Sequence, residues 1–190
     1  MKRLTIPQKK TFNYAEASSE KQEKFLEEIQ KINPEDIIYS DETGIDDNEV
    51  LPTGWSPRGQ RCNAQKNAER NTRYNIIAAL NQKTLFAPFL FECTMTAAIY
   101  ETYIEHVLIP QLRPGMVVVI DNASTHKSKR TMDLILAAGC RILFLPPYSP
   151  QLNPIEHYWS AIKTEIRKAA ETCKDFLTAS IKTLAEICRS

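Results

Sequence analysis

No CxxC pair occurs in this 190-residue chain, and its five cysteines (Cys62, Cys93, Cys140, Cys173 and Cys188) are scattered and odd in number. That excludes a disulfide scaffold and a zinc ribbon, and the thiols read as those of a reducing, cytosolic compartment. The three histidines offer no HxxxH or HExxH spacing, which disfavours a zinc enzyme. No GxxxxGK run followed by Ser or Thr supports ATP hydrolysis. No uninterrupted apolar stretch approaches the ~18 residues of a membrane span, and no apolar signal core follows Met1-Lys2-Arg3-Leu4. A net charge of +1 leaves no global polycation to announce a nucleic-acid partner. No internal repeat is visible. What is there is ordinary globular usage, 43% hydrophobic and 25% charged, in a length suited to one full-sized domain. The expectation is a cytoplasmic protein.

The near-zero charge hides a segregation. Glu16 to Glu49 holds twelve acids against three bases, whereas Leu51 to Lys83 holds six bases against Glu69 alone. Two further basic clusters are Lys127, Lys129 and Arg130, and Lys163, Arg167 and Lys168. Charge blocks are usually solvated faces. Separate basic groups can also converge on a phosphate-binding groove.

Along the chain, residues 1–33 read as a leader with one helix, and 34–190 as the main domain. Ser19 to Gln22 fits a capping box, with Phe25, Leu26, Ile29 and Ile32 following at helical spacing until Asn33-Pro34. Ile37 to Ser40 reads as a short strand running into a turn at Asp41-Glu42-Thr43-Gly44. Gly54 to Gly59 is turn-rich. Tyr74–Leu80 and Leu85–Phe91 predict an antiparallel pair. Thr96–Leu108 predicts a helix, Met116–Ile120 a strand buried on both faces, and Ser128–Ala138 a helix ended by Gly139. Arg141–Leu145 reads as a second buried strand. After the proline-laden loop Pro146–Pro150, a helix carries Ile155, Trp159, Ile162, Ile166 and Ala169 on one stripe, and Phe176–Ile187 suggests another. Three meandering strands followed by alternating helices and strands predict an α/β fold: a mixed, ribonuclease-H-like sheet with helices on both faces.

Three carboxylates fall where such a sheet ends. Asp41 closes the first expected strand, Asp121 the central one, and Glu156 opens the helix after the last. Side chains at neighbouring strand ends converge on one crevice. Gathered carboxylates repel, and a hard divalent cation relieves the repulsion. Each also has a structural reading: Asp41 and Asp121 as turn caps, and Glu156 as the capping-box acid three residues after Asn153. Only Asp121 and Asp133 are acidic between residues 106 and 155, so the acid ending the buried strand is not drawn from a crowd. His126 and His157 lie near enough to contact phosphate, although surface or supporting roles are the commoner reading. Trp55 and Trp159 read as core or loop anchors rather than stacking platforms.

The runs Tyr39–Gly44, Gly54–Gly59, Ile120–Lys127 and Leu145–Glu156 resemble the DDE transposases of the mariner-like superfamily, in its bacterial insertion-sequence branch. Thirty-four residues separate Asp121 from Glu156, the spacing of that group, and the resemblance covers roughly residues 31 to 168. It implies a catalytic, metal-binding triad of Asp41, Asp121 and Glu156 holding two Mg²⁺ or Mn²⁺ ions. The implied chemistry is hydrolysis at transposon ends, then attack of the freed 3′-hydroxyl on chromosomal double-stranded DNA, typically at a TA dinucleotide. It implies a homodimer, and gives the basic clusters a use in holding DNA through Arg58, Arg61, Lys127, Lys163 and Arg167. Glu156, Lys163 and Arg167 share one helical stripe.

Full-length relatives carry an N-terminal pair of helix-turn-helix modules. Only 40 residues precede Asp41, with one clear helix. The expectation is a separately encoded N-terminal part, as in a split gene, or a truncated copy. A truncated, non-catalytic copy that inhibits assembly and a metal-dependent nuclease not involved in transposition stay open beside the transposase reading.

Overall fold

Ser18, one residue before the expected cap, accepts the Lys21 N–H and starts α1 (Ser19–Ile29), satisfying one of the orphan donors of the first turn. The structure, a computed structural model, describes residues 18–47, 57–61, 72–173 and 175–188. Much of the expected Gly54–Gly59 loop, Trp55 included, therefore lies outside the described residues. After a 3₁₀ turn over Pro34–Asp36 capped by Asn33, β1 occupies Ile37–Asp46. The expected turn at Asp41–Gly44 is strand. The reason is β2 (Arg73–Asn81), which pairs with β1 antiparallel from Ile38 to Asp46. At Gly44 the exposed Arg73 guanidinium lies across the strand, where a Cβ would displace it.

β2 turns through Gln82 and Lys83 into β3 (Thr84–Phe91), as expected, with a register shift between Ile77 and Ala79. Thr96 caps α2 (Ala97–Tyr103). The expected single helix to Leu108 instead widens to a π-helical turn over Ile104–Leu108 and tightens to 3₁₀ over Ile109–Gln111. Pro110 has no N–H with which to continue an α-helical ladder. β4 (Val117–Ile120) is buried at every position. Ser128 caps α3 (Lys129–Ala137), and Gly139 closes it at φ 75°, a left-handed conformation that a side chain would strain. β5 (Arg141–Phe144), expected to be buried on both faces, is half-buried because it forms the sheet's edge. α4 (Glu156–Ala170) and α5 (Phe176–Ile187) follow.

The sheet order is β3-β2-β1-β4-β5, with β1 to β3 antiparallel and β4 and β5 parallel to β1. Strand alternation sends Ile38, Val118 and Ile120 to one face, against Tyr100 and Tyr103 of α2 and Ile135 of α3. The opposite face packs Ile45, Ile76, Ala78 and Leu80 under Trp159, Ile162 and Ile166 of α4 and Leu184 of α5. There Phe25 of α1 also joins Ile37, Val119 and Leu145. α1, N-terminal to the expected division at 33/34, is thus packed on the sheet. This is the mixed sheet with helices on both faces that the element order predicts. Among the described residues no helix is long and apolar enough to cross a membrane.

Candidate active site

β1 and β4 pair in parallel from Ile37↔Val117 to Tyr39↔Val119. Two residues further along the chain in each case are Asp41, still on β1, and Asp121, just past β4, so the register brings these acids to the same level. Asp41 is not at a strand end, since β1 continues along β2, but it stands where the β1–β4 pairing has stopped. Glu156 is the first residue of α4, and Ile155 at the cap position makes no side-chain bond to the helix. The capping-box reading of Glu156 therefore does not hold. Asn153 is buried, and its Oδ1 has no hydrogen-bond partner among the described residues. Asp41, Asp121 and Glu156 line one open cleft of about 700 Å³, together with Asn122, Lys127, Asn153 and the Pro146–Pro150 loop.

The three acids feel one another's charge. Burial pushes the Asp41 carboxyl up to about 6, with the charges of Glu156 and Asp121 adding to the effect. The Trp159 indole N–H, donating to Asp41 Oδ2 at 3.0 Å, opposes it. Burial and the Asp121 charge also raise Glu156, against Lys163 and His157. Burial alone would raise Asp121, but the His126 hydrogen bond and charge, the Ala123 N–H and Lys127 hold it below the usual carboxylate range. Among the described residues no three His, Cys, Asp or Glu side chains stand close enough to clasp a metal ion as they are. The donor set itself, carboxylate oxygens on one cleft with a buried acid whose ionisation is costly, fits a hard divalent cation.

Sequence reasoning undervalued His126. It is 1% exposed, its Nδ1 bonds Asp121 Oδ1, and its Nε2 bonds Glu42 Oε2 at 2.9 Å. Burial lowers its proton affinity, yet the two carboxylates raise its pKa to about 9, so the ring is an imidazolium donating to both. Tyr100 covers it, ring centroids 4.0 Å apart. Glu42 was invisible as a site residue because strand alternation points it to the opposite face from Asp41. Trp159 is a core anchor, as read, and a hydrogen-bond donor to Asp41 besides. His157 is exposed beside Glu156.

Of the expected DNA contacts, Lys127 is exposed on the cleft wall, 5.5 Å from the Phe144 ring centroid. Lys163 lies near enough to Glu156 to lower its pKa. Arg167 is half-buried one turn beyond Lys163 on α4. Arg58 and Arg61 are exposed in the short described segment 57–61.

A family model described as DDE superfamily endonuclease matches residues 36–178. The Insertion element IS630 uncharacterized 39 kDa protein of Shigella sonnei is 24% identical over 147 residues, which make up 76% of this chain and 42% of that protein. The chain thus spans less than half the length of that relative. Among solved structures, the Mos1 transposase paired-end complex with left transposon end superposes with a TM-score of 0.62 at 14% identity, over 97% of this chain and 64% of that one. The catalytic core domain of BIV integrase superposes with a TM-score of 0.53 at 14% identity, over 80% of this chain and 82% of that one. These likenesses give the fold as ribonuclease-H-like.

Proposed function

The chain belongs to the DDE superfamily endonucleases, and from that premise we propose that it is the catalytic part of a transposase, which cuts DNA at the ends of a mobile element and joins the freed 3′ end to target DNA. The observation that carries the reading is the meeting of Asp41, Asp121 and Glu156 on one cleft. Mos1 complexes solved with Mg and with Mn are among the structural neighbours, which supports the same ions here. Two Mg²⁺ or Mn²⁺ ions held by the three carboxylates would supply charge stabilisation for the attacking and leaving oxygens of an in-line displacement.

The chain's own groups do the rest. Asp41, whose ionisation burial makes costly, is relieved of that cost when positive charge arrives beside it. His126 holds Asp121 ionised and fixes the direction of its carboxylate from behind. Lys127 on the cleft wall and Lys163 near Glu156 supply positive charge for a phosphodiester brought to the acids. Further along the strand, Arg58, Arg61 and Arg167 are the proposed backbone contacts. The partners in this reading are double-stranded DNA with a TA-type target, a second copy of the chain, and a helix-turn-helix part that reads the element ends.

The test is strand cleavage of plasmid and oligonucleotide DNA by the full chain in Mg²⁺ or Mn²⁺. Cleavage should require the cation and vanish in Asp121→Asn while the circular dichroism spectrum is unchanged. Wild-type cleavage by that variant overturns the assignment.

A further inference from the structure

We infer that Asn153 is a further cation-binding residue of the cleft, its side-chain oxygen a neutral ligand to an ion that Glu156 also holds. The inference rests on the metal-dependent reading above. Asn153 forms part of the cleft wall with Asp41, Asp121 and Glu156, and is only 3% exposed. Its Oδ1 is buried and has no hydrogen-bond partner among the described residues. A buried acceptor left unpaired is costly, and the local fold makes no use of this one. In the run Asn153-Pro154-Ile155-Glu156, an asparagine at the cap would accept the N–H of Ile155 or Glu156. Instead the main-chain carbonyl of Asn153 takes the Glu156 N–H, at 3.2 Å. The Asn153 N–H donates to the Pro150 carbonyl at 2.9 Å, so the backbone of the residue is fixed on both sides. The side chain thus stands on the same turn as Glu156 with an oxygen that the helix start does not engage.

Neighbouring donors have other acceptors. The Asn122 amide donates to the Leu145 carbonyl, the Ser149 hydroxyl to the Pro147 carbonyl at 3.1 Å, and the Trp159 N–H to Asp41. What meets the Asn153 oxygen must therefore enter the cleft. A phosphate oxygen cannot, because it is itself an acceptor. A hard cation can, since amide oxygens are ordinary ligands of such ions. Being neutral, the amide adds an oxygen without adding to the repulsion among three carboxylates. Those acids do not close on one point by themselves. A further oxygen on the wall beside Glu156 supplies a donor where they fall short.

The experiment uses the full chain without DNA, and Mn²⁺ alone as the probe. Calorimetric Tm against Mn²⁺ concentration reads the affinity, and wild type should melt higher as Mn²⁺ rises. Asn153→Leu should bind Mn²⁺ at least about tenfold more weakly, the low end for losing even a supporting partner of a metal ligand. In chelator the same variant should melt no lower than wild type, because an apolar group of similar size replaces an unpaired acceptor. A purely structural amide, or one that binds only water, would leave the Mn²⁺ affinity of Asn153→Leu unchanged and overturn the inference. Asn153→Cys serves where the leucine variant fails to fold. It should lose Mn²⁺ affinity, bind Cd²⁺ through the softer thiolate, and show a thiolate-to-cadmium absorption band above any signal from the native thiols. Adding Glu156→Gln should remove that band; a band that never forms, or that survives, overturns the shared ion. Mn²⁺ affinity that falls in Glu156→Gln but not in Asn153→Leu defeats this inference alone. A wild type unmoved by Mn²⁺ overturns it too, and failure to cleave DNA as well takes the transposase reading with it.

Discussion

Asparagine in place of Asp41 should make the metal-free protein more stable, by an amount that pH controls. Asp41 is 8% exposed, and its carboxyl is raised from 3.8 to about 6, chiefly by burial, with Glu156 and Asp121 adding repulsion. A carboxyl whose folded value lies above its unfolded one favours the fold while protonated. Its contribution is complete below about pH 3.8 and lost as pH rises through about 6. The difference puts a penalty of about 3 kcal/mol on the ionised form, at 1.36 kcal/mol per tenfold change in proton affinity. Asparagine has the same shape, carries no charge, and its Oδ1 can still accept the Trp159 N–H. Asp41→Asn should therefore be near neutral at pH 4 and more stable than wild type by roughly 2–3 kcal/mol at pH 8. For a chain of this size that is about 5–10 °C in Tm. Urea unfolding and calorimetry in chelator at pH 4, 6 and 8 measure it. Millimolar Mn²⁺ should then narrow the gap, because a ligand that binds only the folded wild type stabilises only the wild type. A variant less stable than wild type at pH 8, or a difference that ignores pH, would refute the view of Asp41 as an acid held under strain for a cation.

The Glu42–His126–Asp121 bridge predicts a second pH dependence. His126 is raised from 6.5 to about 9, so its contribution of about 3 kcal/mol is fully present below pH 6.5 and lost as pH rises through 9. Urea unfolding from pH 6 to 9.5 in chelator should show that slope in wild type and not in His126→Gln; equal slopes would count against the bridge. Trp159→Phe keeps an aromatic ring in the core but removes the N–H from Asp41, so the carboxyl should titrate still higher by NMR and stability at pH 8 should fall by about 1–3 kcal/mol.

Local signals made much of this architecture legible. Met116 to Ile120 is apolar without a break, which marks a central strand, and Asp121 follows it directly. Helix caps at Thr96 and Ser128 and the stop at Gly139 are set by residues within one turn. Errors arose where distant partners decide. Asp41–Gly44 has turn-like composition, but β2 supplies a ladder for it from some thirty residues away, and that pairing is not written locally. β5 has the composition of a buried strand, yet its place at the edge follows from sheet order, which periodicity does not encode. The bridge from Glu42 to His126 spans 84 residues and joins two elements whose proximity only the β1–β4 register reveals.

That register explains why two consecutive acids on β1 serve one cleft from opposite sides. Strand alternation turns Asp41 toward α4, where it meets Trp159, and turns Glu42 toward α2, where it meets His126 beneath Tyr100. Because His126 also grips Asp121, the carboxylate at the end of β4 is anchored to the residue next to Asp41. The separation of the two acids is thus governed by one imidazolium and one peptide unit, both buried in a packed sheet. The environments push the two carboxyls apart in proton affinity: Asp121 ionises readily against a fixed cation, while the buried Asp41 ionises only as pH rises through about 6. Above that pH the empty cleft holds both charges, and burial makes the Asp41 charge costly. Positive charge entering the cleft offsets that cost, so strain in the empty fold becomes attraction at the moment of binding.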